Sequence, residues 1–314
     1  MEFAIFGTGG VGGYFGGKLA QAGEDVTFIA RGNHLSAIQQ TGLSVDSIGG
    51  DFVVNPAKAT NSPQSIGAVD VIILAIKAWQ LDDAIIQMKP LVGGKTIIVP
   101  LMNGIEHMET LITAFGREHV LGGLCRISAF IAEAGHIKHV GIDPFIAFGE
   151  WDGKRSERVS KLYDVFKNIS GITVQVSENI ELAMWEKYLF ICSMSGVGAV
   201  TRQPVGGFRS VKESRAMLRR ALEEVVLVAN ARGIGLTENS VQSVMDRIDQ
   251  IQPDVMASMQ KDILEGKPSE LESQTGALVR MAHAADVSVP THEFIYASLL
   301  PMEKKARENN MVVE

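Results

Sequence analysis

The stretch Phe3-Ala4-Ile5-Phe6-Gly7-Thr8-Gly9-Gly10-Val11-Gly12-Gly13 begins as an apolar run of strand length and ends in a cluster of glycines. Gly7, Gly9 and Gly12 match the pattern G-x-G-x-x-G, and a helix-like pattern follows them. The first glycine allows a tight turn, the second lets a pyrophosphate approach the backbone, and the third lets the helix pack closely on the strand. The helix N-terminus adds N–H donors and a positive dipole end. The stretch predicts a dinucleotide-binding turn that comprises Gly7, Thr8, Gly9, Gly10, Val11 and Gly12. The alternative is a glycine-rich turn without a ligand.

The residue after the second predicted strand indicates which dinucleotide is bound. That strand covers 25–30, and Arg31 follows it where an NAD or FAD site usually has Asp or Glu for the ribose hydroxyls. A guanidinium attracts a 2′-phosphate and leaves a plain ribose diol without its usual acceptor. The sequence therefore predicts NADPH as the cofactor, and the alternative for Arg31 is an exposed arginine at a strand end.

Composition limits the class of protein. The chain has 314 residues, 46% hydrophobic and 21% charged, with a net charge of −7. These values are ordinary for a globular protein, and the negative charge argues against nucleic acid or an anionic membrane surface as a partner. Cys125 and Cys192 are interpreted as buried free thiols, and we expect no metal site. Because neither a leader nor a membrane-spanning run is recognisable, the expected location is the cytoplasm.

The pattern of strands and helices changes along the chain. Strand-like and helix-like segments alternate up to about residue 177, and the apolar runs over 70–77 and 95–102 are typical of parallel strands buried on both faces. From about 178 the β signal fades and apolar positions recur at helical spacing. Helices are predicted over 179–195, 211–232, 237–265 and 270–285, with Pro253 as a plausible break. We predict an α/β protein: a doubly wound sheet domain over 1–177 and an all-helical domain over 178–314.

Three polar residues are candidates for ligand binding and proton transfer. Lys77 and Asn103 follow two buried strands, at the sheet edge where such folds bind ligands. Lys187 lies in a largely apolar helical segment, where desolvation could tune an amine for proton transfer. The alternatives are a solvated lysine for Lys77, an Asn-Gly turn for Asn103, and a lysine whose head reaches water for Lys187.

The sequence resembles the ketopantoate reductase (2-dehydropantoate 2-reductase) family of NADPH-dependent enzymes of pantothenate synthesis, over nearly its whole length. The residues that carry the resemblance are Gly7-Thr8-Gly9-Gly10-Val11-Gly12, Lys77-Ala78-Trp79-Gln80, Asn103-Gly104, Trp185-Glu186-Lys187, Ser258-Met259-Gln260-Lys261-Asp262-Ile263 and Ser269-Glu270-Leu271-Glu272. The resemblance implies an N-terminal Rossmann domain, a C-terminal helical domain and an active site between them.

The resemblance also implies roles for individual residues. Lys187 corresponds to the general acid, and Asn103 to an asparagine that contacts both cofactor and substrate. Arg31 and Lys77 correspond to cofactor-binding cations. Ser258 corresponds to a substrate-binding serine. Glu270 corresponds to a glutamate that takes part in cofactor binding and in organising the catalytic residues, and its alternative is a surface helix cap. Hydride would pass from NADPH to C2 of a 2-keto acid while Lys187 protonates the ketone oxygen.

The sequence departs from the family at positions that choose the substrate. Family members often carry asparagines four and eight residues after the catalytic lysine, where this chain has Ile191 and Ser195. Another family asparagine corresponds to Val205. Ser195 stays a candidate substrate-binding residue because it shares a helix face with Lys187. Loss of amide partners changes how a site discriminates hydroxylated from plain substrates.

Two alternatives to reduction of 2-dehydropantoate therefore remain. The first is an NADPH-dependent reductase of another small or branched 2-keto acid. The second is an NADP(H)-binding sensor without turnover, which the presence of Lys187, Asn103 and Glu270 argues against. The sequence leaves the oligomeric state open, and a homodimer is one arrangement that it allows.

Overall fold

The computed structural model describes residues 1–311, which divide into two compact units. The first unit comprises Met1–Met102 and His107–Ile180. The second unit comprises Asn103–Glu106 and the described residues from Glu181 onward. The prediction of two domains with bounds 1–177 and 178–314 stays a prediction, which limited proteolysis would test. No helix in the described part of the chain is long and apolar enough to cross a membrane.

The first unit contains the strands of the protein that the structure describes, together with five α-helices. The strands are β1 (Glu2–Phe6), β2 (Asp25–Ile29), β3 (Leu43–Ser47), β4 (Phe52–Val54), β5 (Lys58–Thr60), β6 (Val71–Leu74), β7 (Ile97–Pro100), β8 (Gly122–Arg126), β9 (Ala129–Glu133), β10 (His136–His139), β11 (Phe145–Gly149) and β12 (Thr173–Val176). The helices are α1 (Gly10–Gln21), α2 (Gly32–Thr41), α3 (Leu81–Met88), α4 (His107–Phe115) and α5 (Glu157–Phe166).

The main sheet of this unit is parallel throughout, with strand order β5-β2-β1-β6-β7. All four residues of β6 and of β7 are buried, as continuous apolar runs in a parallel sheet require. The prediction of a parallel sheet with flanking helices, a Rossmann-like arrangement, is confirmed. Because parallel strands end at the same edge, the turns after β1, β2 and β6 lie along one edge of adjacent strands.

The remaining strands of the first unit form two smaller sheets, which the sequence did not separate from the main one. Their orders are β4-β3-β10-β9 and β12-β11-β8. Both are mixed: β10 runs parallel to β3 and antiparallel to β9, and β11 runs antiparallel to β8 and parallel to β12. Strands β3 and β4 are consecutive in the chain and pair antiparallel as a hairpin. The pairing of β3 with β10 joins segments far apart in sequence, so local patterns do not reveal it.

The second unit is helical in its described part. Its helices are α6 (Ile180–Thr201), α7 (Val205–Ser210), α8 (Lys212–Ala231), α9 (Glu238–Gln250), α10 (Ser258–Leu264), a π-helical turn (Glu272–Gly276), α11 (Ala277–Ala284) and α12 (Pro290–Met311). The helix predicted over 237–265 is present as two helices, α9 and α10, because a loop around Pro253 interrupts it. The carbonyl groups of Pro253 and Val255 instead accept hydrogen bonds from Gly206 and Val205 at the start of α7.

A buried carboxylate from α8 caps the beginning of α12. Glu224 accepts hydrogen bonds from the backbone N–H of Thr291 at 2.7 Å and of His292 at 2.9 Å. The Nδ1–H of His292 donates a third at 2.7 Å. Burial raises the pKa of Glu224, but these hydrogen bonds outweigh burial and hold it below the usual glutamate range. The free N–H groups of a helix start therefore receive a partner from another helix.

Replacing Glu224 with alanine should lower the free energy of unfolding by about 2–4 kcal/mol, since it leaves buried donors unpaired. Because the pKa of Glu224 is lowered in the folded state, its contribution is complete above the unfolded glutamate pKa of about 4.3 and is lost as the pH falls through the folded pKa. Urea denaturation at neutral pH and at about pH 3 measures both effects. Alanine at the exposed Glu213 of α8 is the control. Equal stability of the two variants at neutral pH would contradict this account.

Candidate active site

The glycine turn after β1 has the geometry of a phosphate cradle. Gly7 has φ +97°, and a Cβ there would lie 2.6 Å from the carbonyl oxygen of Ala75. A Cβ at Gly12 would overlap the carbonyl oxygen of Gly7, so α1 packs closely on the turn. A Cβ at Gly9, the residue that precedes α1, would meet nothing within 4 Å. Open space therefore lies over the start of α1, where a dinucleotide pyrophosphate fits.

Two other residues of the turn hold it in place. Thr8 is buried, and its Oγ1 donates to the carbonyl oxygen of Ile29 at 3.0 Å. This bond ties the turn to the end of β2. Val11 packs against the apolar core of the first unit. Gly10 has no room for a side chain, because a Cβ there would overlap the carbonyl of Ala129.

The two predicted cofactor-binding cations follow the two strands that flank β1 in the main sheet. Arg31 comes after β2 and directly precedes α2, and its exposed guanidinium donates to Oε1 of Gln87 at 3.3 Å. Lys77 comes after β6, with its Nζ 5.8 Å from the centre of the Trp79 ring. Because β2 and β6 flank β1 in the sheet, both cations lie at the edge that carries the glycine turn.

Asn103 and Glu270 form a pair in the second unit, although 167 residues separate them in sequence. The Nδ2 of Asn103 donates to Oε2 of Glu270 at 3.0 Å, and Glu270 is only 3% exposed. Gly104 allows the backbone after Asn103 to lie close to the backbone after Glu270. It has φ +94°, and a Cβ there would lie 2.6 Å from the carbonyl oxygen of Ser273. The alternative interpretation of Glu270 as a surface helix cap is therefore wrong.

The other predicted residues of the second unit lie on two helices. Lys187 is half-buried on α6 and is flanked there by the buried Trp185 and Tyr188. Ser258 is exposed at the first residue of α10. Ser195 is fully buried further along α6, and its Oγ has no hydrogen-bond partner within residues 1–311. The structure thus joins Asn103 to Glu270, presents Ser258 to solvent and places Ser195 in the interior.

Sequence reasoning missed the residues that hold Ser269, the neighbour of Glu270. A charged run such as that from Glu303 to Glu308 is typical of a solvated helix end, but Glu303 is only 2% exposed. Its carboxylate accepts hydrogen bonds from the N–H and the hydroxyl of Ser269, the residue before Glu270, and pairs with Arg307. A signal was present, since Glu303 continues the helical spacing of the buried residues Ile295 and Leu299 on α12.

Within residues 1–311, no group of three or more His, Cys, Asp or Glu side chains is arranged to hold a metal ion. Both cysteines, Cys125 and Cys192, are buried thiols outside any disulfide, as predicted. The predicted catalytic groups of the second unit are the amine of Lys187, the amide of Asn103 and the carboxylate of Glu270.

A Rossmann-like unit followed by a helical unit with an amine, an amide and a carboxylate is an architecture of two-domain oxidoreductases. The family model for ketopantoate reductase PanE/ApbA matches residues 3–153, and the model for the C-terminal part of ketopantoate reductase PanE/ApbA matches residues 179–303. The uncharacterized oxidoreductase YkpB of Bacillus subtilis is 32% identical over 95% of this chain and 98% of its own length. A 2-dehydropantoate 2-reductase of Nostoc is 26% identical over 100% of this chain and 98% of its own.

A solved structure of the same family is also similar to this chain. The PanE/ApbA family ketopantoate reductase of Ralstonia eutropha has a TM-score of 0.89 and 29% identity, and the match covers 98% of this chain and 100% of that one. The chain belongs to the ketopantoate reductase family. This is a family of oxidoreductases of the 2-dehydropantoate 2-reductase type, which act on a CH–OH group.

Proposed function

We propose that this protein uses NADPH to reduce a 2-keto acid to the 2-hydroxy acid, with 2-dehydropantoate as substrate and pantoate as product. The observation that carries the proposal is the Asn103–Glu270 hydrogen bond, which fixes an amide donor in the unit that also contains Lys187. Relatives named 2-dehydropantoate 2-reductase support the choice of substrate.

The residues of the first unit suit NADPH. Gly9 leaves open space at the start of α1, and the N–H groups there are donors for phosphate. Arg31 is exposed and offers a planar fork of donors that matches a 2′-phosphate. Lys77 adds a second positive charge at the same edge of the sheet. When bound, NADPH supplies the hydride that reduction of a ketone requires.

The residues of the second unit supply a proton and hydrogen bonds. Lys187 donates a proton to the ketone oxygen as negative charge develops there. Asn103 has two amide hydrogens, and the one it donates to Glu270 fixes the side chain so that the other can point at the substrate. The hydroxyl of Ser258 is exposed and can donate to the substrate carboxylate. Glu270, held from Ser269 by Glu303, acts through Asn103 as a positioning residue.

A second candidate function is favoured by the residues that replace the family asparagines. Val205 and Ser195 are fully buried, and Ile191 is an apolar residue one turn from Lys187. None of the three presents an amide to a substrate hydroxyl. A small or branched 2-keto acid without a hydroxyl group would lose no hydrogen bond at these positions, whereas the hydroxyl of 2-dehydropantoate would lose hydrogen-bond partners.

The oxidation of NADPH, followed by its nicotinamide absorbance, tests these functions. We expect turnover with 2-dehydropantoate, and comparison with 2-ketoisovalerate, which lacks the hydroxymethyl group, identifies the substrate class. A kcat/KM more than about tenfold higher with 2-ketoisovalerate, equivalent to roughly 1.4 kcal/mol, would favour the second candidate. Tight NADPH binding without turnover of either acid would contradict both and indicate a sensor.

A further inference from the structure

A histidine outside the predicted site bonds directly to the glycine turn. His34 lies in the first turns of α2, and its Nε2 is 2.8 Å from the carbonyl oxygen of Thr8. Its other ring nitrogen, Nδ1, accepts a hydrogen bond from the backbone N–H of Gly135 at 3.0 Å. A carbonyl oxygen can only accept, so Nε2 carries the proton and the ring is the neutral Nε2–H tautomer.

The bond to Thr8 fixes the direction of a donor in the cradle. Thr8 and Gly9 share one planar trans peptide, in which the C=O of Thr8 and the N–H of Gly9 point in opposite directions. A bond that holds the carbonyl toward α2 therefore holds the Gly9 N–H away from α2. The N–H and the hydroxyl of Thr8 also donate to the carbonyl oxygen of Ile29, so the residue that carries this carbonyl is itself tied to the end of β2.

Gly135 in turn fixes the histidine ring. It lies in the turn between β9 and β10 with φ +77°, and its carbonyl accepts from the N–H of Ser44 in β3. The smaller sheet β4-β3-β10-β9 thus holds the ring that holds the glycine turn. Burial lowers the pKa of His34, although the bond to the Thr8 carbonyl acts in the opposite direction, so the neutral tautomer is favoured.

We propose that His34 is a positioning residue for the cofactor, which orients the Thr8–Gly9 peptide so that the Gly9 N–H donates to the pyrophosphate of a dinucleotide. This inference rests on the proposed function, because it requires that the first unit binds NADPH. It adds a residue that acts through the backbone of the glycine turn, and it gives the smaller sheet a part in cofactor binding.

Three variants of His34 test the proposal by direct titration of NADPH binding. His34→Leu keeps much of the side-chain volume but removes both hydrogen bonds. His34→Gln keeps one N–H donor for Thr8 and one oxygen acceptor for Gly135. His34→Asn is too short to reach both partners. The matched control is His119→Leu, since His119 is also half-buried and bonds a backbone carbonyl, that of Thr96, away from the turn.

The expected results follow from the loss of one well-oriented charge-assisted hydrogen bond. The Leu and Asn variants should bind NADPH about tenfold more weakly, the Gln variant should bind within about twofold of wild type, and the control should be unchanged. In the steady state, KM for NADPH should rise while KM for the keto acid stays constant, which general loss of structure would not produce. If the Leu variant fails to fold, the comparison of Asn with Gln decides.

Equal NADPH affinity in wild type and in the folded Leu or Asn variant would overturn the role of His34 while leaving the proposed function intact. Weak binding by the Gln variant as well, with the control unchanged, would also overturn it, because the side chain would then matter for something other than its two bonds. A wild-type protein that binds no NADPH would overturn the proposed function and, with it, this inference.

Discussion

Alanine in place of Lys187 should lower kcat for NADPH oxidation with the preferred 2-keto acid by about 10²–10⁴-fold, the usual contribution of a general acid. Reduction of a ketone leaves an alkoxide unless a proton arrives as the hydride does, and Lys187 is the amine we assign to that step. NADPH affinity should stay within about twofold of wild type, because the glycine turn, Arg31 and Lys77, which we propose to hold the phosphates, belong to the first unit.

Two further variants make the Lys187 experiment decisive. Lys187→Arg keeps the positive charge but gives up its proton far less readily, so it should remain nearly as inactive as alanine. Lys212→Ala removes an exposed lysine from α8 in the same unit and should be neutral. Substantial activity in the arginine variant would mean that charge, not proton donation, is what the position supplies. Full activity in the alanine variant would remove Lys187 from the mechanism.

Alanine at Gly9 should weaken NADPH binding by about a hundredfold, equivalent to roughly 2.7 kcal/mol, with little change in stability. The methyl group would enter the open space over α1, where a pyrophosphate has to approach the backbone. Gly9 has φ −81°, which alanine adopts without strain, so the unfolding free energy should change by about 1 kcal/mol at most. Calorimetric titration and thermal unfolding of the same sample measure the two effects.

Gly12→Ala is the matched comparison, because its methyl group would collide with the Gly7 carbonyl inside the protein. It should weaken NADPH binding and also destabilise the fold by about 1–3 kcal/mol, as overpacking does. The two variants thus separate the glycine required by the ligand from the glycine required by packing. If Gly9→Ala bound NADPH normally, the turn after β1 would not be the phosphate site.

Much of the architecture was predictable because it depends on local patterns. The apolar runs that became β6 and β7 identified buried parallel strands, and the spacing of apolar residues after 178 identified the helices. Arg31 and Lys77 could be placed at one sheet edge because parallel strands end together. These inferences need only the period of the pattern and the rule that connects strand ends to ligand sites.

What the sequence did not reveal depends on contacts between distant segments. Glu303 stands in a charged run that is typical of a solvated surface, yet it belongs to the buried face of α12 and bonds Ser269. His34 had no apparent role because its partners, Thr8 and Gly135, lie 26 and 101 residues away. Ser195 was expected to face a substrate, but helical periodicity alone does not say which face of a long helix becomes interior.

The excursion of residues 103–106 into the second unit has a consequence for recombination within this family. A chimera that joins two parents at a single crossover near residue 180 would take Asn103 from one parent and Glu270 from the other. The Asn103–Glu270 hydrogen bond and the close contact of Gly104 with Ser273 would then each join residues from two different parents. Exchange of a functional helical unit therefore requires that residues 103–106 come from the same parent as the residues from 181 onward.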